Sequence, residues 1–409
     1  MKNTRCRICK NEHFFNILDM NKMPLANAFL EKKELNDKEN YYPLKLVRCE
    51  SCGLVQIDEI IPPEILFKNY IYVSGTSQAL SRHFRDLAAG VVRDFKLNTK
   101  SLIIDIGSND GTLLKVFKKY GCQVIGVEPA ENIAKIAKKN GITTVTNFFS
   151  GKVAKKIIRE HGNAKVITAT NVFAHTHDLE SMLEGISILL ENEGVFIIEV
   201  PYLFDLLENL EFDTIYHEHL SYFAVKPLDL FFNKNGFKII NIERVKIHGG
   251  SIRIFVSKHS SGFSIDQSVV QLQLQEKSKG FNDNFIYKHF SEKVKSLKIN
   301  LVKLLASLKK ENKKVIGYGA AAKGNTLLNY YQIGPDLIEF IADLNPMKQN
   351  KFTPGTHIPV YNTQKIYQEK YDYMLILAWN FTNEIINQQK KFKELGGKFI
   401  VPIPDVRVF

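Results

Sequence analysis

The stretch NLEFDTIYHEHLSYFAV gathers two imidazoles, a carboxylate and two phenols within seven residues: Tyr216, His217, Glu218, His219 and Tyr222. A histidine with an ordinary pKa near 6.5 is the natural base at neutral pH, and a neighbouring glutamate can fix its tautomer. The types and spacing therefore suggest proton transfer. Two other readings fit them: histidines two apart could share a metal ion, or the rings could simply pack. A second cluster, Asn171-Val172-Phe173-Ala174-His175-Thr176-His177, ends an apolar stretch.

Upstream, LIIDIGSNDGTLLKVFKKY passes from an apolar run through Asp105-x-Gly107-x-Asn109-Asp110-Gly111 into a helix-forming segment. This is the pattern of a buried parallel strand, a glycine turn and a crossover helix, and such turns lie at the ligand-binding edge of open α/β sheets. Gly107 and Gly111 allow close approach of backbone to ligand. Asp105 or Asp110 can accept hydrogen bonds from it. The turn lacks the lysine of a phosphate cradle. A second strand, QVIGVEPA, ends at Glu128, 21 residues after Gly107, an offset that suits a ribose diol.

Four of the five cysteines fall as Cys6-x2-Cys9 and Cys49-x2-Cys52. Two such pairs complete the tetrahedral shell of a structural Zn2+ and leave no open coordination position, so the metal should stabilise a fold without entering the chemistry. Redox thiols would need only one pair.

The elements that must position these groups follow in order. Residues 1–72 read as the zinc module. After it, Tyr70, Tyr72, Ser74 and Ser77 surround a turn and suggest a lid, or else pack one domain on the next. Alternating strands and helices over 73–262 give seven strands, closed by an antiparallel hairpin turning at His248-Gly249-Gly250. Residues 263–310 read as a helical linker, with Phe290, Val294, Leu297, Leu301, Leu304 and Leu308 forming one amphipathic stripe. Residues 311–409 repeat the strand, glycine turn and helix of a second Rossmann-like domain. There Lys323 beside the turn GYGAAAKG suits a phosphate.

The net charge of +12 is spread over predicted helix faces beside glutamates. This points to a phosphate-bearing small substrate rather than nucleic acid. No apolar run approaches the ~18 residues of a membrane span, and the first residues do not read as a signal peptide, so a cytoplasmic location is expected.

The turn with its terminal acid resembles the S-adenosylmethionine (SAM) site of class I methyltransferases. That likeness places Gly107 at the amino-acid part of SAM and Glu128 at its ribose, with Asp105, Asn109, Gly111, Pro129 and Asn171 nearby. The whole order C-x2-C, C-x2-C-G-L, D-I-G-S-N-D-G, N-V-F-A-H, Y-H-E-H-L-S-Y-F, H-G-G-S, G-Y-G-A-A-A-K-G is similar to the nucleotide-sugar C-methyltransferases of deoxysugar biosynthesis. The resemblance implies an α/β protein of three domains: zinc-binding, SAM-binding and C-terminal Rossmann-like. It implies a thymidine-diphosphate sugar as substrate and His219 as the base, with Tyr216, Glu218, His175 and Tyr70 around the sugar. Tyr72, Ser77, Tyr222 and Lys323 would complete the substrate contacts. His177 and Gly75 depart from the family pattern, which has a non-aromatic residue and a serine there. The implied reaction removes a proton α to a ketone and methylates the resulting enolate. An O- or N-methyltransferase, or a non-enzymatic zinc protein binding nucleic acid, are the rival readings.

Overall fold

A computed structural model describes residues 4–67, 73–76, 78–247 and 249–409. Tyr70, Tyr72, Ser77 and His248, singled out in the sequence, lie outside the described residues.

The N-terminal sheet is an antiparallel meander of β1 (Phe14–Pro24), β2 (Tyr41–Cys49) and β3 (Val55–Ile57). Its inward residues, among them Leu18, Met20, Leu44, Leu46 and Val55, are buried. Two matching turns flank it. Lys10 N–H donates to Cys6 O and Gly53 N–H to Cys49 O, each at 3.0 Å. Positive φ at Lys10 and Gly53 lets the chain reverse behind each cysteine pair.

The central sheet contains β4 (Leu102–Ile106), β5 (Gln123–Val127), β6 (Thr144–Val145), β7 (Ala164–Thr170) and β8 (Leu190–Pro201). β4 is buried along its whole length, as a strand covered on both faces by helices must be. The next strand, β9 (Ser221–Tyr222), leaves this sheet and pairs with β3 of the N-terminal sheet. β10 (Phe237–Val245) and β11 (Ser251–Lys258) then form the antiparallel hairpin, giving the seven-stranded order β10-β11-β8-β7-β4-β5-β6. The chain reverses direction across the sheet between β4 and β7. The carboxyl ends of those two strands therefore flank a crevice.

The C-terminal sheet contains β12 (Val315–Tyr318), β13 (Ile341–Ala342), β14 (Val360–Tyr361), β15 (Tyr373–Ile376), β16 (Lys398–Val401) and β17 (Arg407–Val408), ordered β14-β13-β12-β15-β16-β17 and parallel except at β17. Before it runs the helix Asn284–Lys310, whose stripe of Phe290, Val294, Leu297, Leu301, Leu305 and Leu308 is buried within the chain. Leu305 occupies the core place assigned to Leu304 in the sequence. Tyr331 OH donates to Val294 O at 3.2 Å and Lys298 Nζ to Tyr330 O at 2.7 Å, tying this helix to the C-terminal sheet's first helix. Among the described residues, no helix is long and apolar enough to cross a membrane.

Candidate active site

A cavity of about 690 Å³ opens at the carboxyl edge of β4, β5 and β7, and loops and helix ends beside the other two sheets contribute walls to it. At its floor Gly107 has φ +67, and a Cβ there would come within 2.4 Å of Val172 Cγ2. The turn is held from the next strand, because Glu128 accepts from Asn109 N–H at 2.9 Å and from Ala130 N–H at 2.8 Å. Burial raises the Glu128 carboxyl, and those two amides lower it. Asp105 accepts from Thr168 Oγ1 at 2.6 Å; burial nevertheless pushes its carboxyl up to about 7. Asp105, Gly107, Asn109, Glu128, Pro129 and Asn171 all line the cavity. Gly111 does not. It caps the following helix with φ +79, and a Cβ would meet Ile142 at 2.8 Å, so packing accounts for this glycine.

Gly75 lies against the same turn: its N–H donates to Asp110 Oδ2 at 3.2 Å, and a Cβ would sit 2.4 Å from that oxygen. The close approach leaves little room for a side chain at position 75. Ser74 N–H donates to Asn109 Oδ1 at 2.9 Å.

The Y-H-E-H stretch divides by direction. Tyr216 and His219 line the cavity, their ring centroids 4.1 Å apart. His219 Nδ1 lies 2.8 Å from Thr214 O. A carbonyl can only accept, so Nδ1 carries the hydrogen and Nε2 is the basic nitrogen of the neutral ring. The carbonyl of Thr214, rather than the neighbouring glutamate, sets the tautomer. His175 also lines the cavity, stacked between His219 (centroids 5.0 Å) and Phe67 (5.7 Å). Burial holds its imidazole down to about 4, so it is neutral at pH 7. His177 lines the cavity too, exposed at its rim.

The remaining residues of the stretch point elsewhere. His217 is buried and its Nε2–H donates to Pro43 O of β2 at 3.1 Å. Glu218 is buried against the zinc module and accepts from Asn27 Nδ2 at 2.6 Å. Tyr222, expected at the substrate, is instead in the core: it belongs to β9, is 3% exposed, and its hydroxyl donates to Thr214 O at 3.3 Å. Pairing with β3 holds Tyr222 inward, and contacts with Pro43 and Asn27 hold His217 and Glu218, none of which the bare sequence shows.

Across the cavity, Lys323 lies over the Trp379 ring at 5.1 Å, and Trp379 Nε1 donates to Asp213 Oδ2 at 2.7 Å. The Lys323 charge in turn lowers the buried carboxyls of Glu211 and Asp213, although burial leaves both raised. Lys348 was not anticipated. Its Nζ donates to Ala320 O at 2.7 Å and it too lines the cavity, as does Asn27. Lys348 follows the strand end D-L-N-P, and Asn27 interrupts the apolar MPLANAFL; both were legible only as weak signals.

The four cysteine sulfurs lie within 4.8 Å of one another, with Cys6–Cys52 and Cys9–Cys49 at 3.5 Å. Tetrahedral Zn–S bonds of ~2.3 Å would separate the sulfurs by about 3.8 Å, so the cluster fits Zn2+. Among the described residues these sulfurs are the group placed to share one ion.

Residues 6–67 match the family model described as "Putative zinc binding domain", 80–242 the "Methyltransferase domain", and 246–404 the "C-methyltransferase C-terminal domain". Over 403 residues, 98% of this chain and 96% of the relative, the sequence is 34% identical to the C-methyltransferase NovU of Streptomyces niveus. A stretch of 113 residues, 26% of this chain and 45% of the relative, is 26% identical to a ubiquinone biosynthesis O-methyltransferase of Rhodopseudomonas palustris. Among solved structures, magnesium protoporphyrin IX methyltransferase of Synechocystis aligns over 44% of this chain and 83% of its own, at 15% identity and a TM-score of 0.35. At that score it carries no argument. The match to NovU along nearly the whole chain, with the C-methyltransferase domain model at its C-terminal end, shows that the protein belongs to the SAM-dependent C-methyltransferases.

Proposed function

We propose that the protein methylates a carbon of a keto-deoxysugar nucleotide after His219 removes the proton α to the ketone. The observation that supports this best is the His219 tautomer: Thr214 O fixes the hydrogen on Nδ1, leaving a basic Nε2 on a ring that lines the cavity beside the Gly107 turn.

In this reading Asp105, Gly107, Asn109, Glu128, Pro129 and Asn171 hold SAM, Glu128 taking the ribose. SAM supplies an electrophilic methyl group on its sulfonium. The protein's own task is to make and orient the nucleophile. His219 Nε2 takes the proton, and the ring then carries a positive charge that Thr214 O stabilises through Nδ1–H. His175, kept neutral by burial, stacks on that ring without opposing its charge. His175 and Tyr216 are the donors for the developing enolate oxygen. Lys323 and Lys348, on the opposite wall, meet the diphosphate. Glu218 acts from outside, fixing the loop through Asn27. The substrate is thus a small anionic molecule rather than nucleic acid or lipid, handled in the cytoplasm, where the cysteines stay reduced.

His219→Asn keeps an amide N–H for Thr214 O and removes the basic lone pair. General-base loss should lower kcat roughly 10²- to 10⁴-fold while SAM affinity, measured by calorimetry, is retained. Turnover near the wild-type rate would leave an O- or N-methyl acceptor, which needs no enolate, as the better reading.

A further inference from the structure

The loop that carries His219 is gripped from the zinc module. Leu220, its immediate neighbour, donates its N–H to Ala174 O at 2.8 Å, beside His175. Its carbonyl accepts twice, from Ile57 N–H at 3.1 Å and from Arg7 Nη1 at 3.0 Å. Arg7 stands between Cys6 and Cys9 and is 3% exposed. Its Nη1 also donates to Ile57 O at 2.8 Å, and its backbone N–H to Gln56 Oε1 at 3.1 Å. One guanidinium thus ties the first cysteine turn, β3 and the peptide next to His219.

The charge of the metal site explains an arginine in so dry a place. A zinc ion held by the four thiolates would carry a net charge of about −2, and the buried guanidinium, whose cation the Cys6 charge favours, would be its countercharge. With the turn collapsed, Arg7 would lose both that countercharge and its reach to Leu220.

We propose that Arg7 is a positioning residue that transmits the order of the zinc site to the catalytic imidazole, so the metal governs the alignment of the base as well as the stability of the N-terminal sheet. This rests on the reading of His219 as base. Arg7 touches neither SAM nor sugar in this scheme. Its effect falls on kcat, because a displacement of order 1 Å at a reacting group costs on the order of 10²-fold.

The test compares wild type, Arg7→Ala, Arg7→Lys and His219→Asn, all as the full zinc-loaded chain. Expected for Arg7→Ala is retained zinc, SAM affinity within about twofold of wild type, sugar-nucleotide KM within about threefold, and kcat lower by roughly 10- to 100-fold. Amide hydrogen exchange should quicken in 216–222 and stay slow in β4 and β5. Arg7→Lys, which keeps the charge and one donor, should recover part of both losses. Wild-type kcat in Arg7→Ala overturns the proposal, as does exchange that quickens equally across the central sheet. Should Arg7→Ala not fold, wild type stripped of zinc by a chelator decides the matter. Loop exchange must quicken there with SAM binding kept; protection of the loop, or loss of SAM binding with it, overturns the proposal. Full activity of His219→Asn would instead sink the base assignment, whatever the exchange at 216–222 shows.

Discussion

Adding one carbon at Gly107 measures how tightly the cavity floor is built. An alanine Cβ would lie 2.4 Å from Val172 Cγ2 and 3.4 Å from Cγ1, whereas carbon contacts are comfortable at ~3.5–4.0 Å. The overlap exceeds 1 Å and faces a β-branched side chain with few rotamers to retreat into. The φ of +67 adds about 1–2 kcal/mol for any residue with a Cβ. Overpacking of this kind costs about 1–3 kcal/mol. Gly107→Ala should therefore lose about 2–5 kcal/mol, a large share of the ~5–15 kcal/mol typical of a domain. Val172→Ala removes both offending methyls, so the double variant should retain the backbone cost and the loss of Val172's own packing, without the clash. The coupling energy from urea unfolding of the four proteins should be about 1–3 kcal/mol in favour of the double variant. Strict additivity would refute the packing argument and leave backbone conformation as the whole reason for the glycine.

Two further outcomes follow from the opposite walls. Lys323→Met removes a charged donor from the proposed diphosphate contact, worth about 1.5–3 kcal/mol, so sugar-nucleotide KM should rise roughly 10- to 100-fold with kcat nearly kept; a fall in kcat at unchanged KM would contradict that role. The pKa of His175 is about 4 in the fold against an ordinary 6.5, so the unfolded chain binds protons more readily between those values. Its contribution to stability is complete above pH 6.5 and is lost as the pH falls toward 4. Asp105, raised to about 7 from 3.8, has the opposite sign, its contribution fading as the pH rises through 7. Because Asp105 is common to both proteins, the change in denaturant midpoint from pH 7.5 to 5 should be more favourable in His175→Phe than in wild type, whatever its net sign; parallel curves would show that His175 is not desolvated.

The buried run of β4, the glycine turn and the terminal Glu128 were legible because each rests on local pattern: continuous burial, positive φ, and an acid at a strand end. The two cysteine pairs were equally plain. The direction of the side chains along Tyr216–Tyr222 was not. Tyr222 is turned inward by β9 pairing with β3 some 165 residues earlier in the chain, and His217 and Glu218, in the turn before it, by Pro43 and Asn27 of the N-terminal region. The partner that fixes the His219 tautomer is a backbone carbonyl, and backbone groups leave no mark in residue types. Gly111 shows the reverse error, in which a glycine of a binding turn serves the helix cap. Lys348 and Asn27 reach the cavity because loops from the N-terminal and C-terminal regions fold over the edge of the central sheet.

The most direct measurement follows the hydrogen α to the ketone of a keto-deoxysugar nucleotide, by NMR in deuterated solvent with enzyme present and SAM withheld. Abstraction by His219 predicts that this hydrogen is replaced by deuterium in the presence of wild-type protein and retained with His219→Asn. A protein that methylates the same compound while solvent deuterium never enters a C–H bond, or that exchanges it equally well without the imidazole, would contradict the assignment.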